Sequence, residues 1–217
     1  RDVNIAFANE LSVICDKLGI DVWKLIELAN HHPRVNVLRP GPGVGGHCIA
    51  VDPWFIVDAV PEHSDLIRTA REVNDSKPHH VVRQAVEALA DVPGASVAVL
   101  GLAFKANIDD VRESPSVTIV QELVRQLPAS TILVVDPNVE ELPSALAGTG
   151  ISRLHSTDEA VAAADLVLLL VDHDEFLAIS PVSLEGKMVI DTKGIWIQAE
   201  PVDSARTHVP VGSGVGG

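Results

Sequence analysis

Apolar residues recur at intervals of three and four up to about residue 90. In the first segment they fall at Val3, Phe7, Leu11, Ile14 and Leu18, one side of a helix with 3.6 residues per turn. A second helix is predicted from Val22 to about Asn30, with Asp21 as its N-cap and Pro33 beyond its end. A third, longer helical segment carries Leu66, Ile67, Ala70, Val73, Val81, Val82, Ala85, Val86 and Leu89, and Pro78 is expected to kink it. Long helices that show an apolar stripe to solvent often pair with a copy of themselves, so a homodimer through this region is expected.

From Ala95 the period changes. The runs "SVAVLG", "TILVVDP", "LVLLLV" and "MVIDT" are short continuous apolar strands. Between them lie a helix opened by Ser114 and Pro115, another from about Asp158 to Ala164, and a short helical piece before the last strand. Strands of this kind alternating with helices predict a parallel sheet covered on both faces. The expected fold is therefore α/β: a helical dimerisation region over 1–92, then a Rossmann-like parallel-sheet domain over 93–200. A tail over 201–217 has nothing to bury and is expected to be disordered. In such sheets ligands meet the carboxyl ends of the strands. Those ends carry Lys105, Arg112 and Lys193, the cations that could face an anion.

Charge narrows the ligand. A formal net charge of −14 on 217 residues disfavours nucleic acid and anionic membrane surfaces as partners. No apolar run approaches the length of a membrane span. Two cysteines, Cys15 and Cys48, cannot make a disulfide framework, and no signal peptide is visible, so a cytoplasmic location is expected. The first residues enter a helical pattern with no initiator Met and, unless Asp2 serves, no clear cap, which reads as a piece cut inside a helix.

The stretch "GPGVGGHCIAVDPW" matches the dinucleotide pattern G-x-G-x-x-G at Gly41, Gly43 and Gly46. That fingerprint works only between a strand and a helix, whose N-terminus faces the pyrophosphate. Here Pro40 and Pro42 interrupt, and Pro53 stands where the helix should run, so the match is read as false. "GLAFKAN", which follows the first strand, lacks the second and third glycines. The Rossmann-like domain then either binds another phosphate compound, or the NAD domain lies upstream of Arg1. Glycines that let a backbone approach a ligand would present the next reactive side chain, Cys48, with Asp52 four residues on. A thiol can add to an aldehyde and later leave from a thioester, and a carboxylate can help to activate water. The alternative is a buried Cys acting as a small hydrophobe, the role given to Cys15.

"RPGPGVGGHCIAVDPWFIV", "GLAFKANIDDVRESPS" and "DTKGIW", in this order, resemble three signatures of the UDP-glucose/GDP-mannose dehydrogenase family, and the resemblance runs over residues 1 to about 197. It implies an NAD-dependent oxidation of a sugar C6 alcohol to a carboxylate in two hydride transfers. Cys48 would be the nucleophile, forming a thiohemiacetal and then a thioester, and Asp52 would assist water. Arg34, Arg39, Gly43, Gly45, Gly46, Lys105 and Lys193 would bind the sugar nucleotide, Arg34 reaching the site of the partner subunit. Arg112 would face the NAD phosphates. Within the family Ala50 and Trp54-Phe55 favour UDP-N-acetyl-D-mannosamine over UDP-N-acetylglucosamine, with UDP-glucose and GDP-mannose as further alternatives that these motifs do not separate, and the product would feed a surface polysaccharide. The family's NAD domain, catalytic lysine and asparagine would lie upstream of Arg1, so the chain alone is expected to be inactive. A binding module with an inert Cys48 is the rival reading.

The pairs His31-His32, His47-Cys48 and His79-His80 lack metal-ligand spacing, and no metal is expected. "IDD" and "DHDEF" read as solvated acidic loops.

Overall fold

The computed structural model describes residues 1–196; the residues expected to form the disordered tail lie outside them. Helix α1 spans Asp2–Leu18 and ends at Gly19, whose left-handed φ of 66° closes the last turn. Arg1 occupies the cap position, and Asp2, the candidate cap, lies inside the first turn with its carboxylate accepting from Nη1 of Arg71. Helix α2 spans Val22–Ala29, and the Asp21 carboxylate accepts from the amides of Trp23 and Lys24 as expected.

Helix α3, Asp52–Ala59, corrects the sequence reading. Pro53 sits in its first turn, where the missing N–H belongs to the set with no intrahelical partner in any case, so the residue does not bar a helix. The dinucleotide pattern still lacks its setting, because no strand precedes Gly41. Helix α4 then runs from Asp65 to Ala88 as one element with Pro78 inside it.

Four strands follow: β1 (Ser96–Leu100), β2 (Thr131–Val135), β3 (Leu166–Leu169) and β4 (Met188–Asp191). They form one parallel sheet in the order β2-β1-β3-β4. Helix α5 (Pro115–Gln126) follows β1, capped by Ser114; α6 (Thr157–Ala163) precedes β3, and α7 (Asp174–Leu177) precedes β4. This is the expected α/β architecture.

Alternate strand residues serve opposite faces. Val97, Val99, Ile132, Val134, Leu166 and Leu168 pack with Ile119, Val120 and Leu123 of α5 and with Val81, Val82 and Ala85 of α4. Ala98, Leu100, Leu133, Val135, Val167 and Leu169 pack with α6 and Phe176. Each fully buried Val, Leu, Ile or Phe side chain among these contributes about 1.5–3 kcal/mol. The C-terminal turns of α4 thus belong to the core of the sheet, while its N-terminal turns pack on α1 and α3.

The chain leaves β1 toward β2 and returns to place β3 on the other side of β1. The switch of direction thus falls between β1 and β3, and the carboxyl ends of the strands at such a point are where open α/β sheets bind ligands.

Candidate active site

The segment from Val37 to Val51 has no helix or strand of its own, so its backbone is held by side chains. Asn30 clips its start: the Val37 amide donates to Oδ1 at 2.7 Å and Nδ2 donates to the Val37 carbonyl at 3.0 Å. The Gly41 amide donates to Oδ1 of buried Asn9 at 2.9 Å. At the far end Nη1 of Arg71 donates to the Ile49 carbonyl at 3.3 Å.

The missing side chains of the glycines are replaced by the protein's own atoms. A Cβ at Gly43 would lie 2.8 Å from Pro115 and 3.1 Å from Pro78; one at Gly45 would lie 2.5 Å from the Glu113 carbonyl oxygen. A Cβ at Gly46, whose φ is +84°, would lie 2.9 Å from the Phe104 ring. These glycines therefore press the loop onto the segment after β1 and onto the start of α5.

Beyond them Cys48 is exposed. Its carbonyl accepts from the amide of Asp52 at 2.8 Å, which sets Cys48 and Asp52 one helical turn apart at the entrance to α3. Cys15, by contrast, is buried among Val22 and Ile26, and burial raises its thiol pKa above the ordinary value. It has the structural role expected of it.

Lys105 and Arg112 lie on the loop after β1, both exposed. The loop begins at Gly101, where a Cβ would collide with the Val171 side chain. The amides of Leu102 and Ala103 donate to Oδ2 of Asp136 at 2.7 and 3.0 Å. Arg112 is not free: its guanidinium grips Asp110 with contacts of 2.6 to 3.1 Å. Hydrogen bonds from Arg112 lower the Asp110 carboxyl to about 2. To meet a phosphate, Arg112 must share or exchange this partner.

Lys193 follows β4 in a turn organised by Asp191, which accepts from the amides of Lys193, Gly194 and Trp196. Burial raises the Asp191 pKa against those bonds. The ammonium of Lys193 is 3.1 Å from Asp172 and 4.0 Å from where a Cβ of Gly41 would be, so this cation meets the start of the glycine loop. Gly194 lies against the Trp23 ring, and the Arg39 guanidinium sits 5.2 Å from the centroid of that ring. Arg34 is exposed, and among the described residues its side chain has no carboxylate partner. The structure thus brings the glycines onto Phe104 and Pro115 and Lys193 onto the start of their loop, and it sets Cys48 and Asp52 one turn apart; Lys105 is exposed on the loop after β1, next to Phe104. It ties Arg39 to Trp23 and Arg112 to Asp110.

Two clusters were not legible beforehand. The run "DHDEF" is not a solvated acidic loop throughout: His173 and Phe176 within it are fully buried. Nδ1 of His173 accepts from the Asn107 amide at 2.9 Å and from Nδ2 of Asn138 at 2.8 Å, which places the proton on Nε2, facing Asp136 at 3.2 Å. Burial raises the Asp136 pKa, but the bonds from His173 and the three backbone amides outweigh it and hold the carboxyl below its usual range. The cluster braces the loop that carries Lys105. The second cluster lies between α1 and α4, where Asp2, Asn9 and Ser12 meet Arg71, Asn74 and Lys77, all buried. Polar residues recurring at helical spacing along both segments were its only signal.

The histidine pairs are engaged separately, His79 with Glu122 and His80 with Asp16, and no group of three potential metal ligands occurs among the described residues. No helix among them is long and apolar enough to cross a membrane.

Residues 1–76 match the central domain of the UDP-glucose/GDP-mannose dehydrogenase family, and residues 98–198 match its UDP-binding domain. An NDP-N-acetyl-D-galactosaminuronic acid dehydrogenase of Ralstonia nicotianae is 57% identical over 196 residues, covering 90% of this chain and 45% of that protein. A UDP-N-acetyl-D-mannosamine dehydrogenase of Salmonella typhi is also 57% identical, over 204 residues, covering 90% of this chain and 48% of that protein. Among solved structures, the UDP-N-acetyl-mannosamine dehydrogenase from S. aureus is 44% identical with a TM-score of 0.75, covering 90% of this chain and 45% of that one. The UDP-D-ManNAc dehydrogenase from Pyrococcus horikoshii is 36% identical with a TM-score of 0.77, covering 93% and 47%. The chain spans a little under half the length of these relatives. With both domains matched in order, the chain belongs to the UDP-glucose/GDP-mannose dehydrogenase family.

Proposed function

We propose that this chain supplies the cysteine loop and the sugar-nucleotide half of an NAD-dependent UDP-sugar 6-dehydrogenase, with UDP-N-acetyl-D-mannosamine as substrate. The observation that carries the reading is Cys48, exposed on a loop pressed by its glycines onto the carboxyl end of the UDP-binding sheet. Exposure is what a nucleophile needs, and a thiol is suited to both capture and release of an acyl group.

In this reading the C6 alcohol is oxidised to an aldehyde, and Cys48 adds to the aldehyde carbon as a thiohemiacetal. Loss of a second hydride leaves a thioester. Water, assisted by Asp52 one turn away, attacks the acyl carbon, and the thiol leaves as the carboxylate forms. Lys105 and Lys193 hold the nucleotide diphosphate at the strand ends, where two ammonium groups offset anionic charge. Arg39, braced by Trp23, lies toward the sugar, and Arg34 reaches the neighbouring copy's site. Gly43, Gly45 and Gly46 let the loop lie close against Phe104, Pro78 and Pro115, and the sugar nucleotide meets the backbone that they hold there.

NAD supplies the hydride acceptor when bound. The glycine loop does not fit it, since the protein's own atoms fill the space beside its glycines. Arg112 is the residue of this chain that would meet its phosphates, and the rest of that site belongs to a longer protein. The assembly is a cytoplasmic homodimer. Phe7, Ile14 and Leu18 of α1 are exposed, an apolar stripe suited to a second copy.

A second sugar has specific support, because the Ralstonia nicotianae relative matches this chain as well as the Salmonella typhi one does. The test is NADH release by the full-length protein with UDP-N-acetyl-D-mannosamine, UDP-N-acetyl-D-galactosamine, UDP-N-acetylglucosamine and UDP-glucose, with Cys48→Ala in parallel. Two NADH per UDP-N-acetyl-D-mannosamine, lost in the variant, is the expected result. Turnover of another sugar alone replaces the substrate, and unimpaired Cys48→Ala removes the mechanism.

A further inference from the structure

We infer that Asn9 and Arg71 are positioning residues for Cys48: one continuous hydrogen-bonded circuit through the buried α1–α4 interface ties down both ends of the loop Gly41–Ile49. This rests on the reading of Cys48 as the reacting group, but the circuit itself is a matter of geometry.

Its polarity can be followed atom by atom. A backbone amide can only donate, so the bond from Gly41 fixes Oδ1 of Asn9 as the acceptor. Nδ2 of Asn9 must then face away, and it donates to Oδ1 of Asn74 at 2.8 Å. The amide of Asn74 is thereby oriented too, and its Nδ2 donates to Oδ1 of Asp2 at 2.8 Å and to the Asp2 carbonyl at 3.2 Å. The same Oδ1 accepts from Nη1 of Arg71 at 2.7 Å, and Nη1 also reaches the Ile49 carbonyl, next to Cys48. Asp75 pairs with the other terminal nitrogen, Nη2. The order is Gly41, Asn9, Asn74, Asp2, Arg71, Ile49: donation runs from Gly41 as far as Asp2, which accepts from both sides, and Arg71 donates to Asp2 and to Ile49.

Asn9, Asn74 and Arg71 are each about 1% exposed or less. Loss of a link in the interior leaves a group with no water to replace its partner. Apolar residues could hold two helices together but could not bond the amide and carbonyl of a loop that has no ladder. This accounts for a polar seam where a helix pair of this length would otherwise bury an apolar one. The neighbouring link, Nζ of Lys77 to Oγ of Ser12 at 2.7 Å, lies in the same seam but makes no bond to the loop. It serves as an internal control.

The experiment compares full-length Asn9→Leu, Ser12→Ala, Cys48→Ala and the unaltered protein by peptide-resolved hydrogen exchange and by steady-state kinetics per mole of folded enzyme. In Asn9→Leu, exchange in the peptide over 41–49 is expected to rise at least about tenfold relative to that over α4. Turnover falls between about tenfold and a hundredfold, as for a reacting group displaced by about 1 Å, with KM changed less than about twofold. Ser12→Ala lowers thermal stability but moves neither readout. If Asn9→Leu leaves loop exchange unaltered, the circuit does not hold the loop and the inference is overturned. If the loop loosens but kcat per folded enzyme does not change, the positioning role is overturned. If Cys48→Ala still turns over, the chemical reading has failed, and loop exchange alone then decides whether the circuit exists.

Discussion

Gly45→Ala adds one carbon at the tightest point between the cysteine loop and the sheet. That carbon falls 2.5 Å from the Glu113 carbonyl oxygen and 2.8 Å from both Cβ of Phe104 and Cδ of Pro115. Ordinary contact needs about 3.5–4.0 Å, so the two segments must part by about 1 Å. None of the obstacles is the free end of a side chain: one is backbone, one a Cβ and one a proline ring. Relief therefore has to come from movement of the chain. Overpacking of this kind costs about 1–3 kcal/mol. Each kcal/mol lowers Tm by about 2–4 °C in a protein of 150–250 residues and by about half that in one twice as long, so a fall of about 1–6 °C is expected of the full-length protein. Gly148→Ala is the matched control. Its φ is +79° with no atom within 4 Å of the added carbon, which leaves only the backbone preference, about 1–2 kcal/mol. Stability is therefore the weaker discriminator, and Cys48 is the stronger one. Thermal melts of the full-length protein should be paired with the rate of Cys48 alkylation and with turnover. Gly45→Ala should alter both rates about tenfold or more, and Gly148→Ala should alter neither. A Gly45→Ala protein with unaltered alkylation and turnover would refute the contact between loop and sheet described here.

Phe7→Asp places a charge in the exposed apolar stripe of α1, outside the core of the single chain. Loss of one buried Phe from each copy removes about 3–6 kcal/mol from a symmetric interface, so sedimentation at micromolar concentration should show dimer giving way to folded monomer. An unchanged dimer would place the interface elsewhere. Burial lowers the Lys77 pKa to about 8, partly opposed by Asp16. Between about 8 and 10.4 the unfolded chain holds a proton at this site that the folded chain has released, so the lysine's contribution to stability rises with pH across that window. Relative to Lys77→Met, the unaltered protein should gain about 3 kcal/mol in urea unfolding from pH 7.5 to 10.5, and the comparison cancels the opposing effect of Cys15. A pH-independent difference would show that Lys77 titrates normally.

The places where sequence reasoning succeeded share a short reach along the chain. Asp21 caps α2 and Ser114 with Pro115 opens α5 because capping bonds span two or three residues. The four strands could be read as apolar runs because a parallel sheet buried on both faces needs no other pattern. The rejected dinucleotide pattern shows a correct conclusion resting partly on a wrong reason. Pro53 was counted against a helix that α3 in fact begins, and it is the missing strand that rules the fingerprint out.

By itself, then, the sequence determined the four strands, the helices other than α3, their order and the α/β class, and it put Cys48 forward as a candidate, since each depends on periodicity, capping or chemistry within a few positions. Only the tertiary structure decided what surrounds them. Asn9 meets Asn74 across 65 residues and His173 meets Asp136 across 37, and no spacing rule announces that polar residues so far apart will be buried together. In the sequence the glycines read as room spared for a ligand. In the fold Phe104, Pro78 and Pro115 occupy that room, because the space beside a backbone belongs to whatever the fold brings against it.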